Sequence, residues 1–218
     1  GGEEPFIAPT VTEPFKGCNL NELVKHPLPP SDKRPIDVLF VIDDSPSMAD
    51  DQQTVAANFA SFISSFQSAQ VDFHLGAVTT DMRAANRKGA LVGPYLTRNT
   101  PNLDAAFKSM VNVGDKGSAR EEGIAAAMAA LTEPLSTGAN KGFIRPDADF
   151  AVIWLTDEND SSPQTATQAI DFLRGFKTDL AGMTVAAILD FGGNLFCGLG
   201  AASWKYAQVV NAFGSHGV

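Results

Sequence analysis

The sequence predicts an α/β fold: a doubly wound, mostly parallel central sheet with one short antiparallel edge strand and helices on both faces. Three observations predict it. Short, nearly unbroken apolar runs recur along the chain, as strands buried on both faces do. Between them lie segments with apolar residues at helical spacing, which implies strand–helix–strand crossovers. Several of the runs end abruptly in a carboxylate, most clearly at Asp43 and Asp157.

The elements follow in order. Seven of the 13 prolines fall in residues 1–35, and Pro27, Pro29, Pro30 and Pro35 exclude a regular helix or central strand there. We read 1–35 as an extended segment in front of a domain over 36–218. Ile36-Asp37-Val38-Leu39-Phe40-Val41-Ile42-Asp43 is the first buried strand. Val55, Phe59, Phe62, Ile63 and Phe66 make one apolar helix face. Residues 71–80 form a second strand, and Gly89 to Tyr95, broken by Gly and Pro, a short edge strand. Helices are expected near 102–112 and 119–132. Phe150 to Thr156 is another buried strand, followed by a helix near 164–177 with Ile170, Leu173 and Phe176 inward. Met183 to Leu189 is a strand ending at Asp190, and a helix runs from about Ser203 to Phe213. The rhythm then calls for one more strand and helix after Gly217-Val218.

The 218 residues carry a net charge of −9, with 44% hydrophobic residues. This is globular composition. The charge argues against nucleic acid, whose binding needs a basic face. No run of 18 apolar residues exists, so no membrane span is expected. The start, Gly1-Gly2-Glu3-Glu4, shows no signal-peptide pattern and reads as trimmed. Cys18 and Cys197 fit one disulfide of a secreted protein or two thiols of a cytosolic one equally well.

The chemistry is expected at the strand ends, because open parallel sheets bind ligands outside their carboxyl edge. The first strand leads into Asp43-Asp44-Ser45-Pro46-Ser47 and the fourth into Thr156-Asp157-Glu158. If those strands are neighbours, Asp43 and Asp157 face one another. Two carboxylates so placed repel unless a hard cation joins them, and carboxylates with hydroxyls are the ligands of Mg²⁺, Mn²⁺ or Ca²⁺. Ser45 and Ser47, at alternate positions, can turn both hydroxyls to one point. Glu158, Asp160, Ser161 and Ser162 read first as a solvated turn capping the next helix. Gly192-Gly193 and Gly198-x-Gly200 lack the Lys and the spacing of a phosphate loop. The three histidines are scattered and no nucleophile–base pair is recognisable, so no enzyme is expected.

Asp43-x-Ser45-x-Ser47, a hydroxyl shortly before a Gly-Ile helix start, and a Thr-Asp after a buried strand resemble, in that order, the metal-ion-dependent adhesion site of von Willebrand factor type A domains. The resemblance covers roughly 36–218. It implies a metal held by Asp43, Ser45, Ser47, Ser118 and Asp157, Mg²⁺ first and Mn²⁺ or Ca²⁺ as alternatives. Ser118 stands where that family usually has Thr, with Asp115 a rival donor; Asp44 replaces a common Gly. Asp44, Asp115 and Glu158 are candidates for a partner-facing rim. The run to Asp50-Asp51 is similar to integrin β-subunit I-like domains, where such a pair holds a second Ca²⁺; carboxylates capping a helix start explain Asp50 and Asp51 more economically. The resemblance further implies that the metal accepts a Glu or Asp of a partner protein. It implies a surface or secreted adhesion module, with a bacterial setting and a lipid anchor ahead of Gly1 by analogy. Two other readings stay open: an intracellular subunit of an ATP-driven chelatase or remodelling complex, and a structural module of a surface or pilus-tip assembly.

Overall fold

The computed structural model describes residues 34–48, 52, 70–177, 180–189 and 204–214. Five strands, β1 (Ile36–Ile42), β2 (Phe73–Thr79), β3 (Leu96–Thr97), β4 (Asp149–Thr156) and β5 (Met183–Leu189), form one sheet in the order β3-β2-β1-β4-β5. All neighbours run parallel except β2 and β3, which are antiparallel. The helices are α1 (Leu103–Val111), α2 (Gly123–Leu131), α3 (Ala166–Phe176) and α4 (Lys205–Asn211). The doubly wound α/β architecture and its antiparallel edge are thus as expected. The edge strand itself differs. Residues 89–95 form no strand; Val92 N–H bonds the Ala77 carbonyl, and the antiparallel pairing falls on Leu96 and Thr97. Gly89, Gly93 and Pro94 interrupt regular pairing upstream of it. The helix expected over Val55–Phe66, both cysteines, the Gly-rich loop after β5 and most of the proline-rich leader lie outside the described residues.

β1 is central, and its side chains alternate between two cores. Leu39 and Val41 pack with α2, α3 and α4; Val38, Phe40 and Ile42 pack with α1, where Phe40 meets Phe107 edge to face at 5.5 Å. Burial on both faces is why β1 reads as one continuous apolar run. α3 opens with a capping box between Thr165 and Gln168.

The lower end of the sheet is closed by ion pairs. Asp37, 0% exposed, accepts from the Arg145 backbone N–H at 2.6 Å and from Arg145 Nε at 2.8 Å. The same guanidinium reaches Asp72 at 2.8 Å, and Lys177 Nζ donates to the carbonyls of Arg145 and Ala148. Burial still holds the Asp37 carboxyl above its usual range, with Arg145 and then His74 pulling it back. Among the described residues, no helix is long and apolar enough to cross a membrane.

Candidate functional site

The register of the sheet builds the upper end. Ile42 pairs with Thr79 of β2 and with Leu155 of β4, so the next residues, Thr80, Asp43 and Thr156, stand side by side. Asp43 N–H bonds the Leu155 carbonyl, and Thr80 N–H bonds the Ile42 carbonyl. Asp43 is 0% exposed. One carboxylate oxygen accepts from Ser45 N–H at 2.8 Å, the other from the Thr156 hydroxyl at 2.6 Å. The Ser45 and Ser47 hydroxyls lie 2.9 Å apart, within hydrogen-bond distance of one another. Asp157 follows directly on Thr156, half-buried, with one carboxylate oxygen fully buried.

The central loop delivers a different residue from the one expected. Ser118 is half-buried, and its hydroxyl accepts from the N–H of Arg120 within its own turn. The side chain that meets Asp43 is Glu121, which is 0% exposed. Its Oε2 accepts from the Thr80 hydroxyl, while Oε1 is buried with no hydrogen-bond partner. Burial first, then the nearby charges of Asp43 and Asp44, push the Glu121 carboxyl up to about 8. Glu121 is held at both ends: Glu122 N–H bonds the Thr80 carbonyl, and Ser161 N–H bonds the Glu121 carbonyl at 2.6 Å.

Three further residues, Gln52, Asp160 and Ser162, frame the site. Gln52 donates through Nε2 to the carbonyls of Asp43 and Gly114, both at 2.8 Å, and accepts from Gly114 N–H. It ties the end of β1 to the central loop. Asp160 and Ser162 are buried rather than solvated. They cap α2, not the following helix: Asp160 Oδ1 accepts from Ile124 N–H, and Ser162 Oγ from Ala125 N–H.

The expected rim is split. Asp115 and Glu158 are exposed. Glu158 is raised by partial burial, then by the charges of Asp157 and Asp43, which places it beside them. Asp44 is buried instead, with its backbone carbonyl accepting from Gly117 N–H. Burial pushes its carboxyl up to about 6, with Arg87, 3.8 Å away, opposing and Asp81 adding to the rise. A residue in such a place cannot present its charge to a partner. Asp50 and Asp51 lie outside the described residues.

Could these residues hold a cation? Asp43 and Glu121 set two buried carboxyls against each other, with no cationic side chain paired to either among the described residues. One buried oxygen of Glu121 has no donor. The hydroxyls of Ser45 and Ser47 lie in the same loop, two and four residues after Asp43. The donor set is all hard oxygen, which suits a divalent cation. It is not a carboxylate cage, since no three His, Cys, Asp or Glu side chains come together to hold a metal among the described residues.

The fold matches that of solved structures. Proximal thread matrix protein 1 from the mussel byssus, in a structure described as having a zinc-occupied MIDAS motif, superposes with a TM-score of 0.52 at 17% identity, over 85% of this chain and 44% of that one. A second structure of the same mussel protein gives 0.50 at 17%, over 81% and 41%. A von Willebrand factor type A structure from Catenulispora acidiphila gives 0.45 at 18%, over 84% and 38%. The chain therefore spans well under half the length of each of these structures. No protein-family model and no curated protein matches the sequence. The domain is von Willebrand factor A-like in fold.

Proposed function

We propose that this domain is a divalent-cation-dependent protein-binding module. The observation that carries the proposal is the pairing of buried Asp43 and Glu121, with no cationic side chain paired to either among the described residues, and with the hydroxyls of Ser45 and Ser47 in the loop that follows Asp43. Asp43, Ser45 and Ser47 would hold the ion from the end of β1 and Glu121 from the central loop, with Asp157 after β4 acting through water. Glu121 replaces Ser118 in this set because it is the central-loop side chain that faces Asp43. The ion would supply the positive charge that the carboxyls lack. Ser45 and Ser47 are neutral ligands, and a partner's Glu or Asp would take an open position on the ion.

A divalent ion is supported by the mussel protein's zinc-occupied motif in the same fold. We take Mg²⁺ as the resident ion, with Mn²⁺ and Ca²⁺ as alternatives. An extracellular or surface setting accords with the byssus origin of that neighbour. Binding is favoured over catalysis because the site contains no nucleophile–base pair. The test is calorimetric titration of chelator-treated protein with Mg²⁺, Mn²⁺ and Ca²⁺, beside Asp43→Ala and Glu121→Gln. Saturable binding lost in Asp43→Ala and weakened in Glu121→Gln is expected. No saturable binding by the unmodified protein would sink the reading.

A further inference from the structure

Behind the carboxyls lies a second buried group that the proposed ligand set does not use. Tyr206, on α4, is 0% exposed, and its hydroxyl has no hydrogen bond of good geometry. Beside it, 5.6 Å between ring centres, is Trp154 of β4, whose Nε1 is likewise buried without a partner. An orphaned buried donor costs about 1–3 kcal/mol, so two at one place call for a reason.

Their location supplies one. The groups that act most on the Tyr206 phenol, after burial itself, are Asp160, Asp43 and Glu121. The phenol thus sits among the carboxyls of the site. Gly123 makes the approach possible. A Cβ there would run into the Tyr206 hydroxyl, and would also lie 3.1 Å from Trp154 Cδ1 and 3.2 Å from Thr80 Cγ2. Thr80 is the residue that holds Glu121 Oε2. So Tyr206, Trp154 and Thr80 converge on the glycine two residues after Glu121.

The phenol is also placed firmly. Lys205, its neighbour in sequence, donates from Nζ to Asp160 Oδ2 at 3.1 Å, to the Ser162 carbonyl at 2.5 Å and to the Gln164 carbonyl at 3.1 Å. Lys205 N–H bonds Asn159 Oδ1 at 3.0 Å. These bonds fasten the first turn of α4 to the loop that follows Asp157.

We propose that Tyr206 is a positioning residue for the cation site: its buried phenol orients Glu121 from behind, directly or across a single water. This rests on the cation reading above. One orphaned donor and one orphaned acceptor, Glu121 Oε1, share one buried neighbourhood, and a partner behind a ligating carboxylate sets its aim. With an ion bound, the phenol of α4 would hold Glu121 together with the Thr80 hydroxyl at the end of β2.

The experiment compares the unmodified chain with Tyr206→Phe, which keeps the ring and removes the oxygen alone. Mg²⁺ and Mn²⁺ affinities are measured by calorimetry, and urea unfolding is followed after chelation. Outer partners of metal ligands carry about 10- to 100-fold in affinity. We expect at least a tenfold weaker Kd in Tyr206→Phe, with the metal-free unfolding midpoint unchanged or higher, since the hydroxyl makes no bond there. An unchanged Kd overturns the role of Tyr206 and leaves the cation reading standing. A lower metal-free midpoint with an unchanged Kd marks the hydroxyl as structural and overturns it equally. If the unmodified chain binds neither ion, the cation reading falls and this inference with it.

Discussion

The two ends of β1 solve the same electrostatic problem in opposite ways. Each carries a fully buried aspartate, Asp37 below and Asp43 above. Asp37 meets a cation of the protein's own, Arg145, through its guanidinium and its backbone N–H. Asp43 meets only neutral donors, Ser45 N–H and the Thr156 hydroxyl, and a second acidic residue, Glu121. A buried charge is tolerated when it is paired and hydrogen-bonded. The lower end is complete in itself and fixes the fold. The upper end has no such partner of its own among the described residues, and on the proposed reading a bound cation would supply the missing positive charge.

Breaking the lower pair should produce the largest effect. Arg145→Met leaves Asp37 buried beside only His74, and removing one partner of a buried pair costs about 3–5 kcal/mol. Urea unfolding should show this loss equally with chelator and with Mg²⁺. The upper end should behave differently. Asp43→Ala should cost less than that in chelator, because it also relieves repulsion against Glu121. It should however abolish the stabilisation by added ion, which at a hundredfold excess over Kd is about 2.7 kcal/mol. Thermal melts with and without Mg²⁺ decide this. If Asp43→Ala destabilises the metal-free chain as much as Arg145→Met does, the contrast between the ends fails.

The pH dependence sharpens the comparison. Glu121 titrates at about 8 in the folded chain against an ordinary 4.5. Below 4.5 it is protonated in both states, and its favourable contribution is fully present. As the pH rises toward 8 the unfolded chain gives up this proton while the folded chain keeps it, so stability falls across that window. Metal-free unfolding should show that decline, and Glu121→Gln should flatten it. A residual slope should remain, because burial also raises Asp44, to about 6, and Asp37. The smallest expected effect is at Lys177. Lys177→Met removes two bonds to carbonyls at the lower end and should cost about 1.5 kcal/mol in urea unfolding, with no change in Mg²⁺ affinity.

What was legible in the sequence follows from chain proximity. The alternating layers show in the apolar runs, and Asp43, Ser45, Ser47 and Asp157 show because each directly follows a buried strand. Glu121 does not. Flanked by Arg120 and Glu122, it reads as part of a solvated charged stretch. Its burial is decided by Thr80, some forty residues earlier, which the pairing of β1 with β2 places beside Asp43. Counting back from Gly123 to a hydroxyl reaches Ser118, whereas the side chain that the fold sets against Asp43 is Glu121. The available signal was the glycine itself, so soon after an acidic residue. Asp160 and Ser162 were misassigned for a related reason. A polar turn before a helix suggests capping of that helix, but Thr165 already caps α3, and the pair serves α2 across space. The edge strand moved because local turn residues outweighed the apolar content of 89–95.

One consequence of the alanine-rich helix α2, Gly-Ile-Ala-Ala-Ala-Met-Ala-Ala-Leu, concerns how the domain can change over generations. Its small side chains let neighbouring backbone come close. Gly89, at a φ of +85°, is so near that a Cβ there would lie 2.8 Å from Ala130 N and 2.9 Å from the Ala126 carbonyl. With so little side-chain volume to trim, enlarging one residue of α2 has few neighbouring substitutions that would restore the fit. Such changes would displace the start of the helix, and Glu121 with it. Sequence drift should therefore be slow along α2 and Gly89, and faster at exposed positions such as Asp115, which can change without displacing Glu121.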